Sequence, residues 1–459
     1  MGTILSIKPL LAVLVPLLVI PILVSSRTPN VREAWTFVAA FSKLAIVISM
    51  VPAVLEGKEL VYTVAQVIPG APIAFRVDPL GMLFALVASS LWIVTSAYSI
   101  GYMRGLKEHS QTRYFSFFAV ALSSTMGVAF SANLLTLYLF YEMLSLATFP
   151  LVTHHQDAEA RISGRKYLTY ILGTSIGLVL PAMLICYTLS GTLTFSAQGF
   201  LAGTGSSQLM IVLLLMFVFG FAKAAVFPLH GWLPAAMVAP TPVSALLHAV
   251  AVVKVGVFSI LRVLTGVFGI KLLSSLNLGP LICIIASVTV LIASLIALSQ
   301  DNLKRLLAFS TIGQLSYIIL GVGLLSPKGI TGGVLHIAMH AFGKITLFFC
   351  AGAIFVATGK RNISEMAGIG RRMPLTMAAF FFGSLSIIGL PPTGGFLSKW
   401  YLVLGTLEAH QMVVLWVLLI SSLLNAAYFM PVVYRAFFCR PETAMFEAGM
   451  KEAPAFCLV

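Results

Sequence analysis

The sequence predicts an all-α polytopic membrane protein of about thirteen transmembrane helices. Three observations carry that expectation. Of 459 residues, 59% are hydrophobic and only 9% are charged, with a mean hydropathy of +1.02. Apolar runs recur at the length of about 20 residues that a helix needs to cross a bilayer. The basic residues between the runs fall mainly on one side. A soluble domain carries roughly a quarter charged residues, so this chain cannot cover a water-facing surface. An ordinary globular enzyme and a disordered chain are excluded. So is a nucleic-acid binder, because the +14 net charge comes from 28 basic residues scattered between apolar runs rather than gathered on one solvated face.

In chain order the runs lie near 7–25, 34–55, 80–102, 114–130, 133–153, 166–189, 208–229, 242–265, 278–299, 304–325, 330–357, 374–402 and 411–438. The first reads as a retained helix, since only Lys8 precedes it and no clear cleavage site follows. With the N-terminus outside, inner loops hold 17 basic residues, among them Arg104, Lys107, Arg161, Arg165, Lys304, Arg371, Arg372, Arg435 and Lys451. Outer loops hold 5: Lys58, Arg76, Arg262, Lys271 and Lys328. That bias sets the orientation. The tail KEAPAFCLV turns apolar again and reads as the start of a truncated fourteenth helix. The chain is expected to divide into N-terminal helices (1–112), a core (113–438) and a final inner loop with that start (439–459).

Charges within the runs are few. Lys43, Lys223, Lys254, Lys344 and Lys399 are the lysines, and Glu142 is the one deep carboxylate among 14 acidic residues. A charge at mid-membrane costs at least ~2.5–3.5 kcal/mol, so such residues face a bundle interior or a wet cavity and mark ion paths. The bland alternatives are a structural ion pair and a lysine snorkelling to the headgroups, and for Lys43 the bland reading is preferred. One carboxylate cannot pair with every lysine. Desolvation and mutual repulsion then favour loss of protons from some of them, and a Glu142–lysine pair that opens and closes would modulate the next lysine.

Histidines supply intermediates. His336, His340 and Lys344 are spaced four apart and share one helical stripe. His248 precedes Lys254 by six residues, roughly 9 Å along the axis. Proton relay is the expected role; packing, or ligation of a haem or metal by the i, i+4 pair, are the alternatives. His109, His154 and His155 are expected in solvated loops. The five cysteines are single and widely spaced, and no strand–GxGxxG–helix unit occurs, so no cofactor or metal is expected.

Two runs are broken. Pro228, Pro234, Pro240 and Pro242 follow the seventh run, and Pro391, Pro392, Gly394 and Gly395 interrupt the twelfth. Interrupted helices at membrane depth are tolerated only within protein or beside water. Each break lies next to a buried lysine, Lys223 or Lys399, which makes it a candidate site.

Seven stretches, in order, resemble the antiporter-like membrane subunits shared by respiratory complex I, Mrp-type cation/proton antiporters and membrane-bound hydrogenases. They are DPLGMLFALV, NLLTLYLFYEMLSL, FAKAAVFPLHGWLP, PTPVSALLHAVAVVKVGVF, DNLKRLLAFSTIGQLSYI, HIAMHAFGKITLFF and GLPPTGGFLSKWYLV. The resemblance covers nearly the whole chain. It implies fourteen helices with two inverted five-helix repeats, here helices four to eight and nine to thirteen. It maps the family's buried Glu–Lys pair onto Glu142 and Lys223, its central lysine onto Lys254 and its outlet residue onto Lys399. Some members carry glutamate at that last position. With lysine there, GFLSKWYLVLG and the short tail, the chain looks most like the D subunit of an Mrp-type antiporter.

The expected function is proton movement through Glu142, Lys223, Lys254, His248, His336, His340, Lys344 and Lys399 in a prokaryotic cytoplasmic membrane. The partners implied are other integral membrane subunits, protons, Na+ and the lipid bilayer, with no nucleic acid. The competing expectations are a proton-pumping subunit of an NADH:quinone oxidoreductase or hydrogenase, which would carry no redox chemistry itself, a haem-binding scaffold on His248, His336 and His340, and a purely structural subunit.

Overall fold

The computed structural model describes residues 2–440 and 452–458. A helix stands at each of the thirteen expected intervals. Among the described residues, ten are long and apolar enough to cross a membrane, from Lys8–Ser25 to Met412–Phe438. The other three intervals hold the more polar Gln111–Ala129 and two short apolar helices, Ser207–Gly220 and Pro374–Ile388. The short pair are the two broken runs. The start of a fourteenth helix falls partly on 441–451, outside the described residues; beyond them Ala455–Cys457 forms one 3-10 turn.

A small sheet was not expected. Thr3–Leu5 pairs in parallel with Glu59–Ile68, which turns back through Gly70 (φ +72°) into the antiparallel strand Ala71–Val77. The signal was present in the β-branched, alternating ELVYTVAQVI before a Pro-Gly pair. The sheet's far edge is covered, since Arg76 N–H donates to the Phe130 carbonyl (2.6 Å) and Ala132 N–H to that of Ala74 (3.0 Å).

The chain forms two compact units. One comprises Met1–Ile93, Ser110–Val238 and Val250–Leu281; the other comprises Val94–His109, Ala239–Ala249 and Ile282–Val459. In the first, Gln111–Ala129 is largely buried and packs on Leu134–Val152. Arg262, expected in an outer loop, instead lies within Val252–Val263 and is 5% exposed. Its guanidinium makes a two-pronged pair with Asp78, Nη2 donating to Oδ1 at 2.6 Å and Nη1 to Oδ2. The Asp78 anchor explains why a charge is tolerated there.

In the second unit Leu303–Gly323 is the central element. Nearly every residue after its first turn is buried, as expected for a helix apolar all round. Asn302 caps it by accepting from Arg305 N–H (3.1 Å). Pro327–Thr358 approaches it through glycines: a Cβ on Gly333 would sit 2.9 Å from the Ile318 carbonyl oxygen and 3.4 Å from Gly321 Cα. Small residues at such seams let helix backbones meet closely within a membrane.

Candidate functional site

In the first unit, Ser207–Gly220 ends earlier than the proline-rich stretch suggested. Phe221 leaves the helical region, Ala222–Ala224 forms a 3-10 turn, and Ala225 is left-handed (φ +55°). Tertiary partners take over the released backbone groups. Lys223 N–H donates to Tyr141 Oη (3.3 Å), and Trp232 Nε1–H donates to the Ala222 carbonyl (2.9 Å). Gly256 lets the turn lie on Val252–Val263, because a Cβ there would strike the Lys223 and Ala224 backbone. Lys223 is thus set in the break itself and is fully buried.

Its ammonium is not held by a carboxylate. Lys223 Nζ donates to the Tyr141 carbonyl oxygen (2.5 Å) and to Ser145 Oγ (2.7 Å), and stands 3.2 Å from the Tyr141 ring centroid. Glu142 lies on the same helix and interacts with Lys223 through space. Its buried carboxylate oxygens meet no hydrogen-bond partner among the described residues. The Glu142–Lys223 pair is therefore open in this structure. Lys254 is fully buried in the same unit, two residues before Gly256. Lys43 is also buried there, 4.4 Å from the Trp92 ring centroid.

In the second unit, His336 and His340 stack with ring centroids 5.9 Å apart, and both are buried with Lys344 on Pro327–Thr358. His336 Nε2 faces Gln314 Oε1 (3.1 Å) and Nδ1 faces Ser398 Oγ (2.8 Å). Against an amide oxygen, which only accepts, the fitting tautomer is Nε2–H, and the Ser398 hydroxyl can either donate to or accept from Nδ1. With both nitrogens engaged, His336 is not disposed as a haem ligand. Lys344 Nζ donates to the Leu307 carbonyl (3.2 Å). His248 is buried in a π-helical turn, Leu246–Val250, within electrostatic reach of Lys344 and Lys304. Such turns recur at functional sites. His248 and Lys254 stand on either side of Ala251, where the helix is irregular (φ −103°, ψ −77°).

The second break separates Pro374–Ile388 from Gly394–Glu408. Lys399 Nζ reaches back across it and donates to the Ile388 carbonyl (2.9 Å), the last residue of the first half, and to Ser422 Oγ (3.2 Å). A cation at a helix C-terminus is favoured by the helix dipole. Lys223, Lys344 and Lys399 share one device, a backbone carbonyl acceptor. A carbonyl accepts from a neutral amine as well as, more strongly, from an ammonium, so the lysine keeps an acceptor after a proton leaves.

Sequence reasoning missed the holders of these groups: Tyr141, Ser145, Gln314, Ser398 and Ser422. Only Ser145, three positions from Glu142 on the same apolar helix, carried a signal in the sequence; Tyr141, Gln314, Ser398 and Ser422 stand at no such spacing from a charge. His154, expected in solvent, is fully buried, with its ring against Tyr114 (6.2 Å) and its carbonyl accepting from Arg113 Nη2 (2.9 Å).

Residues 131–425 match the family model described as NADH:quinone oxidoreductase/Mrp antiporter, TM, and residues 70–115 match the N-terminal region of complex I chain 5. The chain belongs to this antiporter-like family. It is 35% identical over 441 residues to NADH-quinone oxidoreductase subunit N of Desulforudis audaxviator, covering 94% of this chain and 86% of that one. It is 31% identical over 424 residues to the A-type subunit of the Na(+)/H(+) antiporter of Alkalihalophilus pseudofirmus, covering 85% of this chain but only 51% of that one, about half its length. A chain in the structure of the Mrp complex from Dietzia sp. DQ12-45-1b superposes with a TM-score of 0.85 at 26% identity, covering 95% of this chain and 81% of that one. With its apolar helices, this makes the chain a multi-pass membrane protein. All eight residues expected to move protons lie within 131–425.

Proposed function

We propose that the chain is a proton-translocating subunit of a multisubunit membrane complex. We further propose a monovalent cation/proton antiporter of the Mrp type, with this chain in the D-type place. The observation that carries the reading is the open Glu142–Lys223 pair. Lys223 sits in a helix break on uncharged acceptors, beside a carboxylate with no hydrogen bond among the described residues. Closing the pair favours the charged lysine; opening it favours handing the proton on. The proton would pass Lys223, Lys254, the group of His248, His340, His336 and Lys344, and then Lys399 before leaving outward. The inverted-repeat arrangement is supported by the breaks, which fall at the fourth helix of each proposed five-helix set.

The partners proposed are other integral membrane subunits, with Na+ as the exchanged ion. An outside N-terminus in a prokaryotic cytoplasmic membrane is supported by the one-sided basic residues, whose bias persists without Arg262. The test reconstitutes the assembled complex in vesicles and follows proton movement with a pH-sensitive dye. Glu142→Ala and Lys223→Ala should each lower the flux by at least about tenfold. Near-normal flux in both, with assembly intact, would sink the proposal.

The identity to NADH-quinone oxidoreductase subunit N over 94% of the chain favours a second reading, a proton-pumping subunit of a redox complex. Subunits that co-purify decide between them. Flavin and iron–sulfur partners support the redox complex, and small membrane partners without cofactors support the antiporter.

A further inference from the structure

The second unit holds a line of hydroxyls that none of the expected site residues includes. Ser421, Ser422, Asn425 and Tyr428 occupy positions i, i+1, i+4 and i+7 of Met412–Phe438, which places them along one stripe. Facing them on Leu303–Gly323 are Ser310 and Tyr317, again seven apart. Ser310, Tyr317, Ser421, Asn425 and Tyr428 are each no more than 4% exposed. At one end, Lys399 Nζ donates to Ser422 Oγ (3.2 Å) and stands 4.9 Å from the Tyr317 ring centroid. Tyr317 Oη donates to Ser421 Oγ (2.6 Å) and also engages Ser422 and Asn425. Tyr428 Oη bonds Asn425 Oδ1 and lies 2.9 Å from Ser310 Oγ. At the other end, Lys344 Nζ donates to the Leu307 carbonyl, one turn before Ser310, and lies 5.3 Å from the ring centroid of Phe429, the neighbour of Tyr428.

We propose that Ser310, Tyr428, Tyr317, Ser421 and Ser422 form a second proton route between Lys344 and Lys399, parallel to the one through His340 and His336. The proposal rests on the reading of the chain as a proton-translocating subunit. Hydroxyls suit the task because each both accepts and donates. In one passage the Lys344 ammonium loses one N–H bond and the Lys399 amine gains one. Each intervening oxygen takes up the arriving proton and releases its own, so nothing is oxidised or consumed. The hydroxyls then rotate back.

Asn425 is a positioning residue in this route. Its amide does not relay a proton. Its Oδ1 holds Tyr428, and its buried Nδ2 meets no acceptor among the described residues. A buried donor of this kind is usually satisfied by ordered water. Water at Nδ2 would join Tyr428 to Tyr317 across the amide.

The test uses the assembled complex reconstituted in vesicles. Tyr428→Phe keeps the ring contact with Phe429 (centroids 4.8 Å) and removes only the hydroxyl. Tyr428→Phe and Tyr317→Phe should each lower proton flux about fivefold, and each should abolish it when combined with His336→Ala. His336→Ala alone should leave measurable flux. The proposal is overturned if the tyrosine variants keep full flux in both backgrounds, or if His336→Ala alone leaves none. Should Tyr428→Phe fail to assemble, Tyr317→Phe and Ser421→Ala decide by the same criteria. Lys223→Ala run in parallel separates the two ideas: full flux there removes the parent reading, whereas its collapse beside unaffected tyrosine variants removes only the second route.

Discussion

Ser145 Oγ accepts a hydrogen bond from Lys223 Nζ at 2.7 Å, on the same helix as Glu142 and one turn further along. The lysine therefore has two resting places on one helix, a hydroxyl and carbonyl or a carboxylate. Removing the hydroxyl should shift it toward Glu142 and fix its charge. Ser145→Ala is expected to slow proton flux about tenfold without loss of assembly. Unchanged flux in the reconstituted complex would show that the hydroxyl plays no part in the switch.

The Asp78–Arg262 pair governs stability. Burial pushes the Asp78 carboxyl upward, but the Arg262 charge and hydrogen bonds, with the Gly81 N–H, outweigh it and hold the group below the usual carboxylate range. A depressed folded value means the pair contributes fully above the unfolded value of about 3.9, and that the contribution is lost as pH falls through the folded value. Asp78→Asn should cost about 3–5 kcal/mol, because it leaves a buried guanidinium unpaired. Thermal unfolding in detergent should show a deficit that is constant from about pH 5 to 8. The deficit should shrink only well below about pH 4.

Gly256 sets the position of Lys223. A methyl group there collides with the Lys223 and Ala224 backbone, and backbone cannot step aside as a flexible side chain can. Gly256→Ala should displace the break and lower flux about tenfold while the complex still assembles. Gly173→Ala, where an added Cβ meets nothing within 4 Å, should be neutral. Equal behaviour of the two variants would contradict the packing argument.

The helices were legible because a membrane span must satisfy its backbone internally and be apolar throughout, and both constraints mark the sequence. Lys223 and Lys399 were legible for a related reason, since a lysine beside a break in an apolar run has few harmless explanations. What sequence could not supply was the partner of each charge. Gln314 and Ser398 come from helices 22 and 62 residues from His336, and only packing brings them together. The β-hairpin at 59–77 was missed because its alternation is short beside the apolar runs that flank it. Read as residues, Glu142 and Lys223 are a pair able to open and close, with no distance attached. The structure holds them apart because Tyr141 and Ser145 offer the lysine uncharged acceptors on the same helix face.

Lys399 separates a structural from a proton-carrying role most cleanly. Its Nζ joins the two halves of the broken helix by donating to the Ile388 carbonyl, so truncation to alanine would damage both the structure and the relay. Lys399→Gln keeps N–H donors, on a side chain one bond shorter, but its amide neither gains nor loses a proton at accessible pH. The variant should assemble, show near-normal thermal stability and lose proton flux by at least about tenfold. Lys399→Glu would instead place a carboxylate against the negative end of Pro374–Ile388, and it should destabilise by about 0.3–1 kcal/mol. If the glutamine variant transports at the native rate, Lys399 only staples the break and the outlet lies elsewhere.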